Sequence, residues 1–353
     1  MRRLIAVLVV LCLAPLALLT WFSVSLSARA VRGQVDARVR NTAAASAVYV
    51  NEQMDGLTEL VGSYAKRPSM VAAMGQPAAR RDGERITFNL QELQRARTGI
   101  EVASVVSPDG RVVNIVPPNP SLIGRDFSFR DWYRGVTTTN RPYISEAVVA
   151  ASRGNARVVA AAVQIRAPAT GGDQGRVLGI LVAAYGLDTI QRFVDDYAAA
   201  QGVRLTVTDQ RGVVVAAPGA SGQNLVSRRA DPLVAAALDG RSGLSERTTP
   251  QGRAVSAYEP VPGLGWTVTA DVATGTAFAP IAELRRTVLA IGAVLGLALL
   301  AGLVLLARVL RQRARTEQQL KDGQARTQEL LEATAEAFIS IDADGLVTIW
   351  NPQ

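Results

Sequence analysis

Two residue types that often carry catalysis, histidine and cysteine, are almost absent from this 353-residue chain. Histidine does not occur, which excludes histidine acid–base chemistry, histidine metal ligands and any Ser/His/Asp or Cys/His apparatus within these residues. The single cysteine, Cys12, lies in an apolar run and has no partner for a disulfide. We therefore expect no catalytic residues, no metal site and no cofactor, and whether the full-length protein is an enzyme stays open.

The segment GRDFSFRDWYR at 124–134 places arginines among aromatic rings. A guanidinium can hold a carboxylate through two parallel hydrogen bonds. Aromatic rings add apolar walls with polar tips. Such a set can bind a small molecule, provided that the rest of the chain builds a scaffold around it.

Two uncharged apolar runs, 4–27 and 287–307, are each long enough to cross a bilayer. Two arginines precede the first run, and the basic segment 308–315 follows the second. Positive flanks mark the cytoplasmic side, which places both termini there and the intervening residues outside. We predict a two-pass inner-membrane protein in contact with lipid. The formal net charge is +8, but its one dense basic run, 308–315, fits a marker of topology better than a nucleic-acid-binding surface.

The segment between the spans begins with a helical pattern and continues with strands. Apolar residues recur every three or four positions from Val35 to Val61, which predicts a long amphipathic helix. Alternating segments then predict strands at 102–106, 112–116, 143–149, 157–165, 177–185, 204–208, 213–217, 243–248, 255–259 and 265–272, with a helix at 188–201. The predicted class is α+β.

One turn motif occurs three times, in SVVSPDGRVV (104–113), TVTDQRGVVV (206–215) and SIDADGLVT (340–348). Each has Ser or Asp three residues before Gly, between two alternating segments. A short polar side chain can accept backbone hydrogen bonds in such a turn, and Gly adopts positive φ there. The repetition predicts three related antiparallel modules.

The ordered motifs resemble those of the double Cache family of extracytoplasmic sensor domains. They are GRDFSFRDWYR (124–134), RPYISE (141–146), GRVLG (175–179) and PVPGLGWTV (260–268). The resemblance implies a long N-terminal helix carrying two stacked PAS-like antiparallel-sheet modules, flanked here by two transmembrane helices. We call them the distal module (about 90–190) and the proximal module (about 200–275), within a sensor domain at 28–283. The ligand is expected in the distal module.

The resemblance also implies site residues. In amino-acid-sensing members an Arg and a Trp-Tyr pair hold the ligand carboxylate, which matches Arg130, Trp132 and Tyr133, and a further Tyr matches Tyr143. The family's ammonium-binding Asp is replaced by Ala184, and a family Tyr by Arg125, which could add positive charge. We therefore favour an organic acid over an amino acid or amine. The same residues could instead only anchor the helix that covers the sheet.

The C-terminal segment LLEATAEAFISIDADGLVTIWNPQ resembles the opening of a PAS domain. We predict a cytoplasmic N-terminus at 1–3, a cytoplasmic signalling helix at 308–332 and an incomplete PAS domain at 333–353, and we expect a truncated chain that acts as a homodimer. The favoured function is the input half of a histidine kinase. A GGDEF or EAL cyclic-dinucleotide enzyme and a non-enzymatic receptor remain alternatives.

Overall fold

The computed structural model describes residues 2–150, 156–168, 175–219, 225–250, 252–332 and 339–350. Its contacts divide the chain into two units. One unit is Val31–Ala279, which lies within the predicted sensor domain at 28–283. The other combines residues 1–30 with residues 280–353.

The helices carry the labels used below. They are α1 (Arg2–Ala65), α2 (Pro68–Gly75), α3 (Gly83–Ala96), α4 (Asp131–Thr139), α5 (Asp188–Gln201), α6 (Pro232–Leu238), α7 (Thr274–Ala277) and α8 (Ala279–Glu332). The predicted helix at 188–201 is confirmed by α5, and the long N-terminal helix is confirmed by α1.

The strands form two antiparallel sheets, in which the order of strands differs from their order in the chain, and one hairpin. They are β1 (Ile100–Val106), β2 (Val112–Val116), β3 (Tyr143–Ile144), β4 (Val148–Val149), β5 (Arg157–Arg166), β6 (Val177–Gly186), β7 (Arg204–Thr208), β8 (Val214–Ala216), β9 (Gly243–Thr249), β10 (Gly252–Pro260), β11 (Thr267–Ala273), β12 (Ile339–Ile341) and β13 (Val347–Trp350). The distal sheet has the order β2-β1-β6-β5-β3, with β4 also paired to β5, and the proximal sheet has the order β8-β7-β11-β10-β9. This arrangement confirms the α+β class.

The buried face of α1 follows the predicted apolar spacing. Val39, Val50, Met54, Leu57 and Val61 are at most 1% exposed. They belong to one buried cluster that also contains residues from both sheets. Burying a side chain of this size stabilises the fold by about 1.5–3 kcal/mol. These residues therefore stabilise the packing of α1 against the distal and proximal modules.

The distal sheet is covered on both faces, because successive strand residues point to opposite sides. Ala103 and Val105 of β1 join the cluster that contains the α1 stripe. Val102 and Val106 face the other way, into a second cluster that includes Trp132 of α4. The candidate site lies on this second face.

The prediction of one continuous strand at 143–149 is wrong, because the structure has two short strands there, β3 and β4. Ile144 pairs with Ala161 and Val148 pairs with Val158, so the outer strand has one residue more than β5 between these pairs. That is a β-bulge, which redirects the backbone. The residues in the bulge therefore become free to contact other parts of the chain.

The repeated turn is confirmed in all three places. The side chains of Ser107, Asp209 and Asp342 each accept a hydrogen bond from the backbone N–H four residues later, at 3.2, 2.9 and 2.9 Å. The glycines have positive φ: 84° at Gly110, 75° at Gly212 and 84° at Gly345. The third turn joins β12 to β13. That this hairpin opens a PAS domain stays a prediction.

Within the described residues, one helical segment, Arg286–Arg326 in α8, is long and apolar enough to cross a membrane. It contains the predicted second span. Residues 4–27 are helical as part of α1, but the side chains of residues 1–13, 16 and 17 lie outside the described part. The two-span prediction is therefore not confirmed and stays a prediction.

Candidate ligand-binding site

A cavity of about 70 Å³ lies between α4 and the distal sheet. Its walls are mostly apolar and come from strands β1, β2, β4, β5 and β6, from the segment between β2 and α4, and from the start of α4. They are Val102, Ser104, Ile115, Leu122, Phe127, Arg130, Trp132, Val148, Val149, Ala150, Val158, Ala160, Val182 and Ala184. We call it the distal cavity.

Arg130 is the charged group of this cavity. It precedes the first residue of α4, so the helix start fixes its backbone. Its guanidinium carbon lies 5.5 Å from the ring centre of Phe127 and 5.2 Å from that of Phe129. Contacts of this kind orient the guanidinium without neutralising it. Among the described residues it forms no ion pair, which leaves its donors available to an anion.

The structure brings some of the predicted site residues together. Trp132 is 6% exposed and lines the distal cavity beside Arg130. Tyr143 lines a neighbouring open cleft that Arg130 also borders. Tyr133 and Arg125 line neither of these two spaces. The Tyr133 hydroxyl donates to the carbonyl of Pro108 at 2.6 Å, and Arg125 is exposed.

Ala184 lies in the cavity wall, opposite Val102 in the β1–β6 register. No Asp or Glu is present among the described residues that line this cavity. A bound ammonium would therefore lack a carboxylate partner there, and an uncompensated buried charge is costly. A carboxylate would instead meet Arg130. The wall chemistry accordingly favours an anion with an apolar body.

The neighbouring cleft contains a carboxylate that carries a structural hydrogen bond. Asp131 accepts the backbone N–H of Glu146 at 2.6 Å through Oδ2. Burial raises the pKa of this carboxyl above its ordinary value, and the nearby Glu146 charge acts in the same direction. The folded protein therefore binds this proton up to a higher pH than the unfolded chain does.

Asp131→Asn is expected to become progressively more stable than the wild type as pH rises. Stability falls with pH wherever the folded state binds more protons, so the Asp131 contribution is present at low pH and lost above its raised pKa. Asparagine keeps an acceptor for Glu146 but does not titrate. Urea unfolding of both proteins between about pH 4 and pH 7 measures the difference, and a constant difference would contradict the assignment.

Gly135 allows α4 to approach β3 closely. An added Cβ at this position would overlap the ring of Tyr143. Gly135→Ala is therefore expected to push α4 outward and to destabilise the fold by about 1–3 kcal/mol. Gly62→Ala in α1 is the matched control, since no atom lies within 4 Å of its added Cβ and alanine favours a helix. Equal stability of the two variants in urea unfolding would refute this packing argument.

The bulge between β3 and β4 contacts the proximal module. The N–H of Ala147 donates to Oδ2 of Asp209 at 2.9 Å, and Asp209 is fully buried. Arg211 donates to Oε2 of Glu146 at 2.9 Å. On the proximal side, Trp266 donates to Gln210 at 2.9 Å. Sequence reasoning missed these contacts, because they join residues more than 55 positions apart in the chain.

The family model described as Cache domain matches residues 27–281. Comparison with curated proteins found no match.

Solved structures with the same architecture are sensor domains. The ligand-binding domain of the Pseudomonas fluorescens chemoreceptor CtaA, in complex with L-isoleucine, is 16% identical with a TM-score of 0.54, over 71% of this chain and 97% of that one. The extracellular domain of the putative histidine kinase rpHK1S-Z16 is 16% identical with a TM-score of 0.54, over 69% and 95%. The periplasmic sensory domain of the Campylobacter jejuni chemoreceptor Tlp1 is 12% identical with a TM-score of 0.55, over 71% and 99%. At these identities the likeness establishes the fold.

Proposed function

Because the chain belongs to the Cache domain family, we propose that it is a membrane-bound sensor whose distal cavity binds a small carboxylate with an apolar body. The observation that carries this proposal is the wall of that cavity. It combines one guanidinium, from Arg130, with apolar side chains, and its described residues include no carboxylate. Pairing of a ligand carboxylate with Arg130 would supply the missing charge partner.

An amino acid is the competing ligand, because several similar domains are described in complex with amino acids, among them L-isoleucine and L-serine. The apolar walls would suit the side chain of isoleucine. Its ammonium, however, would face Ala184 and the neighbouring valines. Desolvating an ammonium without a partner opposes binding, so we favour the acid that lacks this group.

We propose that binding is transmitted through the bulge. β4 forms part of the cavity wall, and Ala147 directly before β4 donates to Asp209 in the proximal module. A ligand that packs against Val148 and Val149 would hold β4 in one position and bias the proximal turn. Such a bias requires that the ligand bind two conformations of the domain with different affinity.

The signal is proposed to cross the inner membrane to a cytoplasmic output. The candidate span in α8 continues without a break to Glu332, so a displacement of the span would reach the predicted PAS segment. A histidine kinase is the favoured output. The chain contains no histidine, so a phospho-accepting residue would lie outside these 353 residues. A GGDEF or EAL enzyme, or a receptor without an enzyme, would use the same input.

A thermal-shift screen of the full chain in lipid nanodiscs tests the proposed ligand class. The probes are acetate, propionate, butyrate, isobutyrate and isovalerate, each with its primary amide and the amine of equal length. At least one acid is expected to raise the melting temperature at millimolar concentration, while its amide does not. If no acid raises the melting temperature, whatever the amines do, the proposal is overturned.

Ala184→Asp is expected to reverse the preference of the distal cavity. The new carboxylate would pair with Arg130 or repel a bound acid, which should weaken acid binding by roughly tenfold or more. It would also provide a partner for a ligand ammonium. Ala184→Asn is the control, because it has nearly the same volume and no charge. If both variants bind the acid equally, charge in the wall does not select the ligand.

A further inference from the structure

The proximal module contains a larger cavity, of about 740 Å³, between its sheet and the segment that leads into α6. We call it the proximal cavity. Its charged and polar walls include Arg204, Thr206, Arg228, Asp231, Arg247 and Asp271. Nothing in the proposed function of the distal cavity uses these residues.

The two cavities occupy equivalent places in their modules. The repeated turns align Gly110 with Gly212, and the same alignment matches Ser104 with Thr206. Ser104 lines the distal cavity and Thr206 lines the proximal one. Both are nearly buried, at 8% and 5% exposed. The strand order of the two sheets is also the same, step for step.

Strand pairing extends this equivalence to the opposite wall. Two residues before Ser104 and Thr206 stand Val102 and Arg204. Val102 pairs with Ala184, and Arg204 pairs with Asp271. Ala184 in the distal cavity therefore corresponds to Asp271 in the proximal cavity. The proximal wall has a carboxylate where the distal wall has a methyl group.

The helix starts are equivalent as well. The N–H groups of Phe127 and Arg228 each donate to the carbonyl of the turn glycine, at 2.8 and 2.7 Å. Three residues later, directly before α4 and α6, the backbone N–H groups of Arg130 and Asp231 donate to the carbonyls of Phe127 and Arg228, at 3.0 and 2.9 Å. Arg130 thus corresponds to Asp231. The charge at this position is reversed between the two cavities.

The charges inside the proximal cavity do not balance. Arg247 donates through Nη1 to Asp231 and through Nη2 to both oxygens of Asp271, at 3.0 and 3.1 Å. The two carboxylate side chains are only 17% and 13% exposed. One guanidinium contacts both carboxylates, and Asp231 also accepts the N–H of Leu233 at 3.0 Å. The three side chains together therefore keep a net negative charge in a weakly solvated place. Such a charge is costly unless a cation completes the group.

The rim of the proximal cavity is positively charged, opposite to the net charge of the inner cluster. Arg204 and Arg228 are exposed and border the same space. A molecule with its ammonium inside and its carboxylate at the rim would satisfy both groups of charges. We propose that the proximal cavity is a second ligand site, which binds a small zwitterion through Asp231 and Asp271 at the ammonium and Arg228 at the carboxylate. The chain would then sense two chemical classes, one in each module.

Calorimetric titration of the full chain in nanodiscs tests this site. The probes are the proteinogenic L-amino acids, applied singly to the Arg130→Gln variant, in which the distal cavity has lost its charged group. At least one amino acid is expected to bind at millimolar concentration or below. Asp271→Asn in the same background should weaken it by about tenfold or more, as expected for loss of a charge-assisted contact.

Arg228→Glu keeps the test decisive if Asp271→Asn fails to fold, because Arg228 is exposed and not part of the ion cluster. This variant should also weaken the same amino acid severalfold. The proposal is overturned if no amino acid binds the Arg130→Gln protein, or if a binding amino acid keeps its affinity in the variants that fold. Failure here leaves the distal proposal untouched, since that proposal is read out with acids on the wild type.

Discussion

Replacing Arg130 by glutamine is expected to weaken binding of the preferred acid by roughly ten- to hundredfold. The guanidinium is the charged group among the described residues of the distal cavity, so the variant leaves a bound carboxylate without its partner. Hydrogen bonds to charged groups contribute about 1.5–3 kcal/mol each, and this range converts to the stated loss of affinity. Glutamine keeps a polar side chain of similar reach, which limits rearrangement of α4.

Calorimetric titration measures this loss, and Arg125→Gln is the matched control. Arg125 has the same charge and lies five residues away, but it is exposed and lines neither the distal cavity nor the adjacent cleft. Its replacement should change affinity by less than about threefold, the scale of a screened surface charge. If Arg125→Gln is the more damaging variant, the anion is bound outside the cavity.

Replacing Asp209 by alanine is expected to destabilise the sensor unit by about 2–4 kcal/mol. This fully buried carboxylate accepts N–H groups from Arg211 and Val213 in its own turn and from Ala147 in the distal module, each at 2.9 Å. Alanine leaves all three donors unsatisfied. For a unit of this size, each kcal/mol lowers the melting temperature by about 2–4 °C, so a loss of roughly 5–15 °C should be seen.

Thermal unfolding followed by tryptophan fluorescence gives the comparison with two controls. Ser107→Ala alters the equivalent distal turn, where the hydroxyl serves only local groups, and should cost about 1 kcal/mol. Asp239→Ala removes a carboxylate whose side chain is 68% exposed and should have little effect. A loss at Asp209 no larger than that at Ser107 would show that the bond to Ala147 adds nothing.

Much of the scaffold could be predicted from the sequence, because its signals are local. The stripe from Val35 to Val61 repeats at helical spacing, and all its members from Val39 onward are buried in the structure. The repeated turn likewise depends on residues four apart, and its Gly positions require a φ that other residues rarely adopt. Local patterns of this kind specify element and register without knowledge of the partner.

The contacts between modules could not be predicted in the same way. Ala147 and Asp209 are separated by 62 residues, and the contact exists only because a bulge turns the Ala147 N–H out of its strand. An alternating segment such as YISEAVV predicts one strand and does not show where an extra residue is inserted.

The candidate site has some features that could be predicted from the sequence and some that could not. Arg130 and Trp132 stand beside each other at a helix start, so their common cavity follows from short-range order. Arg125 precedes this start by five residues, in a loop whose direction is set by pairing of its backbone to Val112. The correspondence between Asp271 and Ala184 depends on strand pairing across each sheet, which local sequence patterns do not specify.

The position of a bound acid tests the central claim most directly. A crystal structure of Val31–Ala279 grown with 3-bromopropionate would locate the bromine by its anomalous signal. We predict the bromine among the valines of the distal cavity and the carboxylate on the Arg130 guanidinium. Bromine density only in the proximal cavity, or only on the surface, would contradict the assignment of the distal module as the carboxylate sensor.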